Sequence, residues 1–183
     1  MQDEESLVQR AKQRDQKAFT QLYEGYFDKI YRYTVIKIGN ETEAEDMTQQ
    51  VFVRAYESIG SYRSRGVPFS AWLFRIAHNQ IVDYVRKRSK KQTISLDETL
   101  PIMDNTNLEH DVETKFEMEK VATAAKQLTK AQQEVISLRF AGGLSIAEVA
   151  KTMRKSEGAI KALQHSAILA LRKTLLAGEK SGN

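Results

Sequence analysis

The chain has 183 residues, 41% hydrophobic and 28% charged, which suits one ordinary domain or two small ones of a globular protein. Cysteine is absent, which excludes a disulfide framework and thiol chemistry, and His78, His110 and His165 are scattered without metal-ligand spacing, so neither a metal nor another cofactor is expected. The polar, acidic start MQDEESLVQR and the lack of any apolar run near the roughly 18 residues of a membrane span predict no signal peptide and no membrane contact, hence a cytoplasmic chain. The net charge of +4 is unevenly spread: residues 94–119 hold Asp97, Glu98, Asp104, Glu109, Asp111, Glu113, Glu117 and Glu119 against Lys115 alone. Both flanks are therefore more basic than the total.

Apolar residues recur at three-and-four spacing, two prolines interrupt little, and alternating patterns are nearly missing, which predicts an all-α fold. A first helix is expected over Ser6 to Arg14. A long second one carries Ala18, Phe19, Leu22, Tyr23, Tyr26, Phe27, Ile30 and Tyr31 on one face and ends at Asn40. Thr42 with Glu45 has the form of a capping box, opening a helix whose buried stripe is Ala44, Met47, Val51, Ala55 and Ile59 and which Gly60 closes. SYRSRGV reads as a loop, and Pro68 suits the first position of a helix from about Phe69 to Arg88. The acidic stretch from Lys90 to Asp111 has no sustained periodicity and reads as a linker between two small domains, independent and flexibly joined when no partner is bound. Helical periodicity returns near Glu113. Thr129 with Gln132 and Ser145 with Glu148 form further capping boxes, starting helices over Ala131 to Phe140 and Ser145 to Met153 with a turn at Gly142 and Gly143 between them. A longer helix capped by Ser156 follows, and the last two make a helix-turn-helix pattern.

In that pattern the second helix packs one face on its domain and offers the other to the major groove. Ile160, Leu163, Ala167, Leu171 and Leu175 fall on one face, leaving Lys161, Gln164, His165 and Arg172 for bases or phosphates, while Lys151, Arg154 and Lys155 lie where phosphates would pass. From spacing alone, a three-helix bundle with a solvated charged face fits equally well. In the first domain Tyr62, Arg63, Arg65, Phe69, Trp72, Phe74, Arg75 and Asn79, followed by Arg86, Lys87, Arg88, Lys90 and Lys91, interleave aromatics with cations as a single-stranded nucleic acid requires. Trp72, at helical spacing with Phe69 and Ile76, also reads simply as core. There is no nucleophile with a base, no Gly-rich phosphate loop and no metal cluster, so no catalytic residue is expected.

The runs AEDMTQQVFVRAY, FSAWLFRIAHNQIVDYVRKR and LTKAQQEVISLRFAGGLSIAEVAKTMRKSEGAIKALQHSA together resemble the extracytoplasmic-function sigma factors, in family order and over nearly the whole chain. The resemblance implies two helical domains: residues 1–91 as region 2, residues 92–115 as the linker threaded through polymerase, residues 116–178 as region 4, and residues 179–183 as a tail. It implies that Asp46, Met47, Gln49, Gln50 and Phe52 grip the clamp coiled coil of the polymerase β′ subunit, that the β flap is a second polymerase contact, and that an anti-sigma protein is a further partner. The family usually has Gln-Glu where this chain has Gln49-Gln50. The loop from Ser61 to Val67 is implied to take a base flipped from the −10 element, with Phe74, Asn79 and Asp83 on the supporting helix, and Ser61, Tyr62, Arg63, Arg65, Trp72, Arg75, Arg86 and Lys87 complete the expected −10 surface. Lys151, Arg154, Lys155, Ser156, Lys161, Ala162, Gln164, His165 and Ser166 are implied to meet the −35 duplex, although relatives often carry arginine where Ser166 stands. Rival readings are a dimeric helix-turn-helix repressor and a helical adaptor for protein partners.

Overall fold

The computed structural model describes residues 3–64, 66–91 and 124–180, with side chains described through Lys90 and Leu176. Seven α-helices are described in full: α1 (Glu4–Lys12), α2 (Gln16–Ile38), α3 (Glu41–Ser58), α4 (Phe69–Lys91), α5 (Lys130–Ile136), α6 (Ile146–Met153) and α7 (Glu157–Lys180). No strand occurs among the described residues. The first helix begins two residues earlier than its expected start, behind Asp3, with Val8 and Ala11 as its buried side.

Local chemistry sets each boundary. The α2 stripe Ala18, Leu22, Tyr26, Ile30, Tyr33, Thr34 and Ile38 is buried, and Gly39 stops the helix in the left-handed conformation at φ 77°, its N–H donating to the Val35 carbonyl. Asn40 then opens α3, its side-chain oxygen accepting from the Glu43 N–H at 2.9 Å. The capping box expected at Thr42 is thus displaced: Thr42 already lies inside the helix, and the shorter connection leaves Asn40 as the cap. The expected stripe of α3 is buried throughout, from Ala44 to Ile59, with Thr48 and Phe52 added to it. Before α4, the Tyr62 hydroxyl donates to the Val67 carbonyl at 2.7 Å, and the Pro68 carbonyl accepts the Trp72 N–H, so Pro68 caps the helix from just outside it.

Residues 124–126 are helical and lead to α5, where the capping box of Thr129 and Gln132 is present; that of Ser145 and Glu148 opens α6. The expected helix to Phe140 instead changes at Ser137 into one wide π turn, Ser137–Ala141. Its buried residues Ser137, Leu138 and Ala141 face inward, while Phe140 stays exposed.

One core runs through both halves. Tyr33, Leu73, Phe74 and Ala77 of the first unit belong to the same buried cluster as Val135, Leu138, Leu144, Val149 and Ile160 of the second. Gly142 marks the closest approach: a methyl group there would fall 2.7 Å from the Phe74 ring and 2.8 Å from the Leu138 carbonyl oxygen. The two described units are thus in contact, each supplying buried apolar surface to the other. The acidic segment between them and residues 181–183 lie outside the described residues, while residues 179 and 180 of the expected tail continue the last helix.

Candidate nucleic-acid and polymerase interface

The α3 surface divides cleanly. Asp46, Gln49 and Gln50 are exposed, whereas Met47 and Phe52 are buried at 5% and 4% exposure. Phe52 stacks among Tyr23 and Phe27 of α2, so it shapes the helix seat rather than offering itself to a partner. The expectation that both would be part of an outer contact is corrected by the α2–α3 packing, which needs their apolar surface.

The loop ahead of α4 is pinned from beneath. Tyr62, 4% exposed, holds Val67 and lies 5.3 Å from the Trp72 ring and 5.8 Å from Phe69, making an aromatic floor. Burial pushes the Tyr62 hydroxyl pKa up, assisted by Glu4 and Glu5. Above this floor Arg63 is exposed and Trp72 half-buried; Ser61 is exposed and donates to the Ser58 carbonyl; Arg65 lies outside the described residues. A cavity of about 390 Å³ lies between this loop and α1, lined by Glu4, Glu5, Tyr62, Gly66, Pro68 and Phe69. Further along α4, Asn79 and Lys87 are exposed, and Asp83 pairs with Arg86 at 2.7 Å. Phe74 departs from the expected set. It is fully buried against Tyr33, 5.4 Å between ring centres, so its ring belongs to the core and is closed to DNA in this arrangement. Tyr62, 4% exposed, is likewise a support.

In the second unit, α7 carries Ile160 and Ala167 inward at 0% exposure, with Leu163, Leu171 and Leu175 half-buried, while Lys161, Ala162, His165 and Ser166 point outward. Two of the expected readers already have partners. Gln164 is half-buried and accepts from Arg139 at 3.0 Å; the Ser166 hydroxyl accepts from Gln132 at 3.0 Å and donates to the Leu163 carbonyl. Gln164 is thereby held by Arg139, which also reaches the Leu144 carbonyl and ties the π turn to α7. Ser156 caps α7, accepting from the Ala159 N–H at 3.2 Å. Lys151, Arg154 and Lys155 are exposed around the turn, and Arg154 adopts the left-handed conformation at φ 54°.

Sequence reasoning missed a polar cluster between the units. Glu134 accepts from the Tyr33 hydroxyl at 2.7 Å, lies 2.5 Å from the Lys37 ammonium, and sits 3.1 Å from His78 Nδ1. Burial alone would raise the Glu134 pKa, but the His78 hydrogen bond and the Lys37 charge prevail and bring it to about 2. The Tyr33 hydroxyl is pushed well up by burial and by the same carboxylate. Beside this cluster the Ser70 hydroxyl donates to Glu148 at 2.5 Å, Arg32 donates to the Ala141 carbonyl at 3.3 Å, and Arg75 donates to the carbonyls of Lys151 and Thr152. A sequence signal existed: Lys37 falls on the apolar stripe of α2, three and four residues beyond Thr34 and Tyr33, where a charge requires a partner.

A bundle of helices with an aromatic-floored loop, packed on a helix-turn-helix, is the architecture of a DNA-binding protein. The model of Sigma-70 region 2 matches residues 22–91, and that of Sigma-70, region 4 matches residues 124–173. The chain is 37% identical to the ECF RNA polymerase sigma factor BldN of Streptomyces coelicolor, over 92% of this chain and 64% of that protein. It is 31% identical to the ECF RNA polymerase sigma factor SigW of Bacillus subtilis, over 92% of this chain and 94% of that protein. Among solved structures it resembles CnrH, described in complex with the cytosolic domain of CnrY, with a TM-score of 0.66 at 23% identity over 97% of each chain. It also resembles the sigma factor RpoE of Bartonella quintana, described with the anti-sigma factor NepR, with a TM-score of 0.65 at 23% identity over 87% of this chain and 97% of that one. The chain belongs to the ECF RNA polymerase sigma factors, the proteins that direct RNA polymerase to promoters for transcription initiation.

Proposed function

We propose that residues 1–91 act as a unit that binds core polymerase and the −10 element, and residues 116–178 as one that reads the −35 duplex. The observation that carries this is the outward face of α7, where Lys161, Ala162, His165 and Ser166 stand exposed over a buried Ile160 and Ala167. Lys161 and His165 reach base edges, and Lys151, Arg154 and Lys155 meet phosphates. In the first unit Asp46, Gln49 and Gln50 contact the β′ clamp coiled coil. Arg63, Trp72, Asn79 and Lys87 hold the unpaired −10 strand, with a base stacked over the aromatic floor. Each unstacked step costs a few kcal/mol and each aromatic stack returns roughly 1–3 kcal/mol, so a captured base offsets a short melt. Polymerase supplies the chemistry, and the chain acts beside it in the cytoplasm. The β flap and an anti-sigma protein are further partners, by analogy with the RpoE and NepR pair.

Association with core polymerase is the test. Asp46→Ala with Gln49→Ala, both at exposed positions, should weaken co-purification with core at unchanged helical content, and Gln50→Glu should keep or strengthen it. Wild-type association of the double variant would remove α3 from the clamp contact.

A further inference from the structure

The cavity between α1 and the loop ahead of α4 has two kinds of wall. Tyr62 and Phe69 form an aromatic side, and Glu4 and Glu5 of α1 face it as a carboxylate side, around about 390 Å³ of space. That volume lies near the lower end of the roughly 300–1,000 Å³ typical of ligand pockets, so it takes one flat ring rather than two. Negative charge on the α1 wall disfavours a phosphate inside, whereas exposed Arg63 stands on the same loop but outside the lining. What suits the cavity is a base, with its backbone left at the mouth.

Of the two carboxylates, that of Glu4 is fixed. Its Oε2 accepts the Tyr26 hydroxyl at 2.5 Å. Tyr26 is 8% exposed and packs edge-on against Phe69, 5.5 Å between ring centres, so one tyrosine of α2 holds both walls. Burial, and then the hydrogen bond to Glu4, push the Tyr26 hydroxyl pKa well up, which keeps it a donor. An ionised carboxylate only accepts and has about four lone-pair sites, so this one bond leaves it room for a ligand donor. The bases differ in what they offer such a group on the Watson–Crick edge. Cytosine and adenine present an amine, and guanine an amine beside a ring N–H; thymine presents two carbonyl oxygens flanking one N–H. Carbonyl oxygens set against carboxylate lone pairs repel, and they lose their water without gaining a donor.

We propose that Glu4, held by Tyr26, is a specificity-determining residue of the −10 site: it accepts the amine of the captured base, and so admits cytosine, adenine or guanine while rejecting thymine. This rests on the function proposed above, in which a base stacks over the aromatic floor, and adds to it the selection made from α1.

Strands of cytosine and of thymine give the cleanest test, since these pyrimidines share one ring and exchange the amine for a carbonyl oxygen. The full chain is assembled with core polymerase, and binding of oligodeoxycytidylate and oligodeoxythymidylate of about 12 nucleotides is measured by fluorescence anisotropy, with core alone as the baseline. Glu4→Gln keeps the length of the side chain and an acceptor for Tyr26, but its amide N–H2 can meet the thymine carbonyl. The ratio of cytosine-strand to thymine-strand affinity should fall about tenfold in Glu4→Gln. Tyr26→Phe breaks the tie between α1 and α2 and leaves the carboxylate in the cavity, so its ratio should fall by no more than about threefold. An equal fall in both variants overturns the selection, because it would reduce Glu4 to a structural tie. An unchanged ratio in a strand-binding Glu4→Gln holoenzyme overturns it too, and leaves the −10 reading standing. If the wild-type holoenzyme holds neither strand above core alone, the −10 reading falls and the selection with it.

Discussion

The two units place their candidate residues differently. On α7 the outward residues Lys161, Ala162, His165 and Ser166 are separated from the inward Ile160 and Ala167 by helical phase alone, so polarity and role coincide. In the first unit they do not coincide, because most of the aromatic residues expected as stacking planes lie in the core. Tyr62, Phe52 and Phe74 are buried, and only Trp72 of the expected aromatic set is half-exposed. A strand-binding surface built from aromatics grows outward from the core, whereas a groove-reading helix lies on top of it.

The largest effect should come from the residue that most clearly changes sides. Phe74→Ala removes a ring with 0% exposure from between Tyr33 and Gly142 and should cost about 3–5 kcal/mol of stability in urea unfolding. Trp72→Ala should cost less, since Trp72 is half-buried, yet lower single-strand affinity more than its stability loss explains. The reverse ranking would return Phe74 to the DNA surface.

Acidification tests the cluster that joins the units. The Glu134 pKa is lowered from 4.5 to about 2, so its contribution is fully present above about pH 4.5 and is lost as pH falls from there toward 2. The groups facing it are Lys37 and Tyr33 from α2 and His78 from α4. The loss amounts to about 3 kcal/mol, and Glu134→Gln should flatten that part of the pH profile of stability. A profile identical in both chains would show that other carboxylates carry the acid response.

Much of this was legible in the chain because the signals are local. Both capping boxes of the second unit, the α3 stripe and the inward face of α7 follow from residues three or four apart. The cap at Asn40 was misassigned because Thr42 and Glu45 offer an equally good local pattern, and the choice depends on where Gly39 ends α2. The joint between units was not legible, since Tyr33 and Glu134 are 101 positions apart and His78 and Glu134 are 56 apart. Nothing local to Glu134 distinguishes it from a solvated glutamate. Aromatic roles stayed ambiguous for the same reason: Phe74 is buried between Tyr33 of its own unit and Gly142 of the other, neither of them near it in the sequence.

On the α7 face, Lys161→Ala or His165→Ala should lower affinity for a duplex carrying the −35 element by about 1–3 kcal/mol if either makes a base contact. Both side chains are exposed, so thermal stability should hold within about 0.5 kcal/mol. Loss of duplex binding with equal loss of stability would mean that the outer face packs on something.

The smallest effect should appear at the turn between α6 and α7, where stability and recognition ask for different residues. Arg154 closes α6 in the left-handed conformation at φ 54°, with its N–H donating to the Ala150 carbonyl. A residue with a Cβ pays about 1–2 kcal/mol in that region, while glycine pays little there but gives up more freedom on folding, about 0.4–1 kcal/mol. Arg154→Gly should therefore stabilise the chain by about 0.5–1 kcal/mol, read as a small rise in Tm. The same change deletes an exposed cation from the edge of the helix-turn-helix, so duplex affinity should fall and its salt dependence should become shallower by about one ion. A chain made more stable with a shallower salt slope would show strain retained at this turn for the sake of its charge; a less stable one with an unchanged slope would mean that Arg154 is held there by packing and has no part in binding DNA.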